Sequence, residues 1–387
     1  MKTKFGIGWQ VGGTTGWGVY GLALMLRGAQ RGLIPIPVYV SPKFTPGPLE
    51  ARVLGPLEKH WRIEQQFFGL GDGGAVDYPF LMGLGNDLHP PEVIDAVRGA
   101  PDHGVVFFEH RNIAADDIAF AKARFAGIVA GSSWNAEVLN DLGFANVAFC
   151  PQGIDLTRFH PAPKGGVLGD RFVVFSGGKL EFRKGQDIVV EAFRRFHARH
   201  PEALLVTAWH NHWDASVASI ARSPHGFGAP ARAAEGGPWK ISEWLAAQGI
   251  PADAVLDLGE VDHARMPQLL RECDVGVFPN RCEGGTNLVA MECMACGVPA
   301  ILSDNTGHRD LLARPGAALR LERQSPIAGD LFADWGESDP DEIVAHLEWV
   351  HANRDAAAKV GAAGATFLAE WGWPQKIDAL FAALGWG

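Results

Sequence analysis

The chain is poor in several features that would assign a class at once. It carries five cysteines in 387 residues, an odd number without regular spacing, which excludes a disulfide framework of the kind that staples small secreted domains. No stretch approaches the roughly 18 apolar residues of a membrane-spanning helix, and the opening MKTKFGIGWQVGG is basic but lacks the apolar run of a secretory leader. A cytoplasmic protein with at most peripheral membrane contact is expected. Positive charge is scarce as well: 34 Lys and Arg against 44 Asp and Glu leave a net charge of -10, the wrong sign for displacing counterions from nucleic acid. Anion binding must be local, and no nucleic-acid partner is expected. The Cys293-x-x-Cys296 pair lies in an apolar, helix-like run, and Cys273 and Cys282 are irregularly spaced from it. Buried thiols are expected there, with no metal site.

What is present is the composition and rhythm of a folded α/β protein. Apolar residues make up 47% and charged residues 20%, and the length exceeds what one core usually supports, so two domains are predicted. Short apolar runs alternate with helix-period segments, the pattern of parallel sheets. In the first half the runs are 5–11, 36–40, 80–85, 104–109 and 127–132; in the second they are 172–177, 203–209, 255–259, 275–279 and 299–304. A Pro- and Gly-rich segment, 160–171, reads as a linker between the halves. The fold class is therefore α/β, with two doubly wound Rossmann-like domains facing across a cleft. Helical spacing of Ile188, Ala192, Phe193 and Phe196 predicts an amphipathic helix over 187–200 with a solvated basic face. Open α/β sheets bind ligands beyond the carboxyl ends of their strands, and polar residues do follow the apolar runs, as in Glu109-His110-Arg111 and Arg281-x-Glu283.

GWGVYG, residues 16–21, has the Gly-x-Gly-x-x-Gly spacing of a dinucleotide fingerprint. With 48 glycines in the chain the match is weak, and two further requirements fail. The preceding strand ends near Val11, too early for Gly16, and no acidic residue follows strand two before Glu50. A dehydrogenase is not expected. What remains is a glycine-rich loop entering a helix, able to let a phosphate approach backbone N–H groups at Gly13, Gly16 and Gly18. The alternative is that these glycines only permit close packing of helix on sheet.

Two stretches concentrate the chemistry. SGGKLEFRKGQDIVVEAF (176–193) places Lys179, Arg183 and Lys184 in one strand-to-helix loop of an acidic protein. VGVFPNRCEGGTNLVAMECMACGVPAILSDN (275–305) reads as a buried strand, a Glu-Gly-Gly turn, a helix opening at Thr286 or Asn287, and a stop at Gly297 before Pro299. Glu292 follows Asn287 by five residues, about 7.5 Å along a helix axis. A diphosphate at the helix mouth would leave its ribose near that depth. The pair His210 and His212 in WHNHWD has no third ligand at a recognisable spacing, and reads as loop histidines.

These stretches resemble the donor-site motifs of family 4 glycosyltransferases, retaining group 1 enzymes of the GT-B fold: Gly-Arg-Leu-x-x-x-Lys-Gly, then Glu-Gly-x-Gly-Leu and Glu-Ala-Met-Ala-x-Gly-x-Pro. The similarity extends to 131–161 and to the Trp-containing tail 370–384, and is loose over 41–103. Two departures stand out. Lys179 occupies the place of the motif's arginine, and Glu283 and Glu292 are nine apart instead of eight, one residue more in the turn.

The resemblance implies an acceptor-side domain over 1–165, a donor-binding domain over 166–365, and a C-terminal helix, 366–387, crossing back to the first domain. It implies sugar transfer from a nucleotide diphosphate donor, a UDP- or GDP-sugar, to a hydroxyl on a glycan, lipid-linked or protein acceptor, with retention and with neither cofactor nor metal. The implied donor residues are Gly13, Gly16, Gly18, Lys179, Lys184, Glu283, Thr286, Asn287, Leu288 and Glu292. Lys179 and Lys184 would stabilise charge on the leaving diphosphate, Glu292 would hold the ribose, and Glu283 would lie by the sugar phosphate. Glu109 and His110, with Lys184 and Glu283, are the implied catalytic residues. A nucleotide-sugar epimerase on the same scaffold, or a non-catalytic nucleotide-sugar binding subunit, remains as an alternative.

Overall fold

The computed structural model describes residues 3–68 and 74–386. The chain divides into two compact units, Met1–Gly153 with Trp371–Gly387, and Ile154–Glu370. The sequence placed these change-overs at 165 and 365. The segment 160–171 lies inside the second unit. There Lys164 reaches Asp274 at 2.7 Å, and the Gly165 N–H donates to the Glu272 carboxylate at 2.5 Å. Its backbone is tied to the unit's body, which a free linker's is not.

In the first unit β1 (Lys4–Val11), β2 (Ile34–Val40), β3 (Phe80–Leu84), β4 (Asp102–Val106), β5 (Gly127–Ala130) and β6 (Val147–Phe149) form one parallel sheet in the order β2-β1-β3-β4-β5-β6. Every residue of β3 and β4 is buried, as expected of strands covered on both faces. The run expected over 104–109 leaves the sheet after Val106, so Phe107, Phe108 and Glu109 belong to the loop. The tail returns as the helix Trp373–Ala383, packed on the helix Gly16–Gln30: Arg27 donates to Asp378 at 2.8 Å, and the ring of Phe381 meets that of Phe5 at 5.5 Å.

In the second unit β7 (Phe172–Lys179), β8 (Ala203–His210), β9 (Val255–Asp257), β10 (Val275–Phe278), β11 (Ala300–Ser303) and β12 (Leu319–Leu321) form a parallel sheet ordered β12-β11-β10-β7-β8-β9. Its core joins Val174, Leu205 and Val277 to Ile188, Phe193 and Phe196 of the helix Gln186–His197. On that helix's outer side Arg194 and Arg195 pair with Glu191, and Arg195 also meets Asp341, a solvated face as the helical spacing predicted. A two-stranded antiparallel pair, β13 (Gln324–Pro326) with β14 (Gly336–Ser338), lies outside the main sheet. All five cysteines are buried and unbridged. Burial pushes the Cys296 thiol up to about 12 and that of Cys150 to about 11, which keeps both protonated at neutral pH. No helix of the described residues is long and apolar enough to cross a membrane.

Each sheet reverses its strand order once, between β1 and β3 in the first unit and between β7 and β10 in the second. Such a reversal splays the connecting loops to opposite faces and opens a crevice at the carboxyl ends of the two strands.

Candidate functional site

The crevice of the second unit is built from the turn after β7 and the loop after β10. The turn must reverse tightly into the helix Gln186–His197, and Gly185 makes that possible: its φ is +69°, and a Cβ there would lie 2.4 Å from the Pro279 carbonyl oxygen. Beneath the turn lies Arg281, whose side chain is fully buried. It forms a bidentate pair with Asp187 at 2.7 Å, reaches Glu337 at 2.5 and 2.8 Å, donates to the Phe182 carbonyl at 2.7 Å, and stacks 3.8 Å over the Phe182 ring. A planar guanidinium can satisfy all these acceptors at once, and a lysine cannot. Arg281 thus fixes the loop that carries Arg183 and Lys184.

Above it, Glu283 collects the positive charge. Lys184 Nζ lies 2.5 Å from one carboxylate oxygen and Arg183 Nη1 3.1 Å from the other, with the Asn280 amide donating as well. Burial by itself would raise the Glu283 carboxyl; Lys184, Arg183 and His308 outweigh it and hold the group at about 2. It is a carboxylate at any physiological pH. Its backbone N–H donates to Thr306 Oγ1 at 2.8 Å, and its carbonyl accepts from the Gly307 N–H at 3.0 Å. The Glu-Gly-Gly turn is therefore anchored at its first residue. His308 is driven the other way: burial foremost, with Lys184 and Arg183 adding to it against Glu283, lowers its imidazole to about 4. It is neutral, between Ser303 Oγ at 2.9 Å and the Asn287 amide at 3.1 Å.

The helix Leu288–Ala295 opens beside this group. Asn287, at φ +62°, caps it by accepting from the Ala290 N–H at 3.4 Å, while Gly297, at φ +82°, follows its end. Both boundaries agree with the expectation from sequence. The N–H groups of Leu288 and Val289 belong to the first turn, which the helix itself leaves without carbonyl partners. The Thr286 hydroxyl is directed to Met291 Sδ at 3.0 Å. Four residues into the helix, Glu292 is buried with one oxygen 2.6 Å from His263 Nε2. Burial opposes the charge on His263, but the Glu292 carboxylate prevails and raises the imidazole above its ordinary value. His263 was not singled out from the sequence. It stands between β9 and the next helix, and only the fold brings it to Glu292.

Of the expected donor residues, Lys184, Glu283, Thr286, Asn287, Leu288 and Glu292 gather around this crevice. Lys179 stands apart: exposed at the end of β7, its ammonium lies 5.0 Å from the Trp213 ring centroid. The triplet Asp339-Pro340-Asp341 starts the helix Pro340–Ala352, where Asp339 accepts from the Asp341 N–H and pairs with Arg323 at 2.8 Å. That is a capping role. The histidine pair expected to lack a third ligand does have a carboxylate beside it, Glu260.

In the first unit the loop after β1 is closed by its own backbone. Thr15 caps the helix Gly16–Gln30 by accepting from the Gly18 N–H at 3.0 Å, and a Cβ on Gly18 would sit 3.1 Å from Gly12 N and O. Gly16 accepts at its carbonyl from Gln152 at 3.2 Å. Gly13 is different, for a Cβ there would meet only Phe44 at 3.6 Å, an ordinary contact. After β4, Glu109 N–H donates to Asn86 at 2.9 Å. His110 Nδ1 and Asn135 Oδ1 are both buried without a hydrogen-bond partner, and such groups are costly unless a ligand or water satisfies them.

Residues 162–326 match the family of glycosyl transferases group 1. Over that segment the chain is similar to this family. The group 1 segment covers both halves of the second unit's crevice. Among relatives, the chain is 26% identical over 306 residues to a D-inositol 3-phosphate glycosyltransferase of Stackebrandtia nassauensis, covering 73% of this chain and 61% of that one. It is 28% identical over 244 residues to a GDP-mannose-dependent alpha-(1-6)-phosphatidylinositol monomannoside mannosyltransferase of Mycobacterium tuberculosis, covering 59% and 53%. The chain spans about half the length of the curated relatives it matches. Among solved structures, Anabaena HepE in complex with UDP and glucose superposes with a TM-score of 0.66 at 10% identity over 99% of both chains. Sucrose-phosphate synthase from Thermosynechococcus elongatus superposes at 0.64 with 14% identity, over 99% and 98%. At such identities the likeness shows the fold, the two-domain α/β GT-B architecture.

Proposed function

We propose that this group 1 chain transfers a glycosyl residue from a nucleoside diphosphate sugar to a hydroxyl acceptor, with retention of configuration and without a metal at the diphosphate. The observation that carries the reading is the half-buried ammonium of Lys184, held 2.5 Å from Glu283 on a loop braced by Arg281, next to the first turn of the helix Leu288–Ala295. An ammonium has three donors, and Glu283 takes one. As the bond from the sugar's anomeric carbon to the diphosphate oxygen breaks, negative charge accumulates on the leaving group. A cation and helix N–H groups fixed in place beforehand stabilise that charge without reorganising. The acceptor oxygen bonds to the same face of the anomeric carbon, and its proton passes to the departing phosphate.

In this reading Glu283, ionised throughout, orients Lys184 and supplies no proton. Glu292 binds the ribose hydroxyls through the oxygen that His263 leaves available, and Lys179 contributes long-range charge. Gly13, Gly16 and Gly18 admit a phosphate close to the backbone, and Glu109 and His110 bind the sugar or the acceptor hydroxyl. The unpartnered His110 Nδ1 supports that assignment. The donor is a UDP- or GDP-sugar: the mycobacterial relative is named for GDP-mannose and the Anabaena structure holds UDP. The acceptor is a glycan, a lipid-linked sugar or a protein.

Thermal unfolding in the presence of each nucleotide diphosphate identifies the donor, since selective binding raises the transition by mass action. With that donor, Lys184→Ala is expected to lower turnover by roughly a hundredfold, about 3 kcal/mol, and the anomeric coupling of the product to match that of the donor. Near-normal turnover in a folded Lys184→Ala protein would sink the assignment.

A further inference from the structure

Away from the Lys184–Glu283 crevice, the carboxyl ends of β8 and β9 bring together three side chains that the transfer reaction does not use. His210 is the last residue of β8 and His212 lies two positions on, and Glu260 follows β9. His210 Nε2 is 3.2 Å from His212 Nδ1 and 3.6 Å from a Glu260 oxygen, and one ligand atom from each residue falls within 4.8 Å of the other two. Ligands 2.0–2.1 Å from a tetrahedral zinc ion are separated by about 3.3 Å, so these atoms need move little to share one cation. His210 and Glu260 also line a cavity of about 310 Å³ whose other walls include Trp209, Trp239 and Asp257.

We infer that His210, His212 and Glu260 form a binding site for a zinc-class divalent cation on the wall of this cavity. Two imidazoles and a carboxylate are the donor set of an open zinc site, which keeps its fourth position for water or for an oxygen of a molecule in the cavity. The other histidine cluster, His200, Glu202 and His351, is already satisfied: His200 meets Glu348 at 2.8 Å and His351 meets Glu202 at 2.9 Å. Asp187, in a third group with His225 and Glu337, is committed to Arg281.

The test uses the full chain, stripped of metal with a chelator and titrated with zinc against a chromophoric competitor. The wild-type chain is expected to bind zinc, and cobalt in its place to give the intense visible absorption of a tetrahedral ion. His212→Ala and Glu260→Gln, at positions exposed enough to leave the fold intact, should each weaken zinc binding by on the order of 100-fold, while His351→Ala should leave it unchanged. Absence of zinc binding, binding unaltered in His212→Ala and Glu260→Gln, or loss only in His351→Ala would overturn the site. Because neither readout involves sugar transfer, failure here leaves the proposed reaction standing, and failure of that reaction leaves the site standing.

Discussion

The two sheets reverse strand order at equivalent places, yet the crevices they create are furnished in opposite ways. In the second unit the turn after β7, the helix start that follows it and the loop after β10 carry Arg183, Lys184, Asp187, Arg281 and Glu283, paired with one another and all buried except the half-buried Lys184. In the first unit the segments that follow β1, β4 and β5 carry glycines, aromatic rings such as Trp17 against Phe107 at 4.8 Å, and the buried unpartnered atoms of His110, after β4, and of Asn135, in the helix Ser133–Asp141 after β5. The same topology thus supports one crevice whose charges are organised in advance and one whose polar groups wait for a partner. Fold supplies the place, and loop residues supply the chemistry.

The sharpest way to break this contrast is to remove the brace. Arg281→Ala would leave Asp187 buried without its counter-charge, and stripping one partner from a buried pair costs about 3–5 kcal/mol. Strands β7 and β10 should lose protection against hydrogen exchange by a corresponding factor, while β1 and β3 keep theirs. In the first unit, Asn135→Ala removes one neutral hydrogen bond, to the Phe108 carbonyl, and should cost about 1 kcal/mol. Equal losses from the two substitutions would mean that the second crevice is no more organised than the first.

Acid should distinguish the units next. His308 is held at about 4 in the folded chain against an ordinary 6.5, so the unfolded chain takes up its proton first. The stability it contributes is complete above pH 6.5 and is lost as pH falls towards 4, up to about 3 kcal/mol. Glu283 acts lower: held at about 2 against 4.5, it contributes stability above pH 4.5 that is lost as pH falls towards 2. Burial also lowers His103 in β4, so exchange must be followed strand by strand. Between pH 6.5 and 4, β10 and β11 should weaken, and His308→Gln should flatten that slope. An unchanged slope in the variant would remove His308 as its cause.

How much of this was legible in the sequence follows the same division. Nine strands were readable because each is a largely buried apolar run, and the expected run 255–259 holds the short β9, whereas β6, β12, β13 and β14, like β9 of three residues each, are too short to show a period. Lys184, Glu283, Asn287 and Glu292 were readable because turn, cap and charge signals are local. Their supports were not. Arg281 and Asp187 lie 94 positions apart and His263 lies 29 from Glu292, so nothing local marks them as partners. The histidine pair was visible without Glu260 for the same reason. An acidic residue in the first turn of the helix after Arg183-Lys184-Gly185 was the one available hint to Asp187.

The smallest expected effect on stability is also the most discriminating for the first crevice. A methyl group on Gly13 meets only Phe44 at an ordinary distance, whereas on Gly18 it presses on Gly12 N and O at 3.1 Å. Gly13→Ala should therefore change stability within about 0.5 kcal/mol, and Gly18→Ala should cost more because backbone cannot step aside. If the loop admits a phosphate, Gly13→Ala raises the KM for the donor at nearly unchanged stability, since the methyl occupies space that only a ligand would use. If the glycines serve packing alone, Gly13→Ala is silent in both measurements and only Gly18→Ala is felt. The ordering of two single-methyl variants in donor KM and in unfolding midpoint thus decides whether the first crevice binds or merely packs.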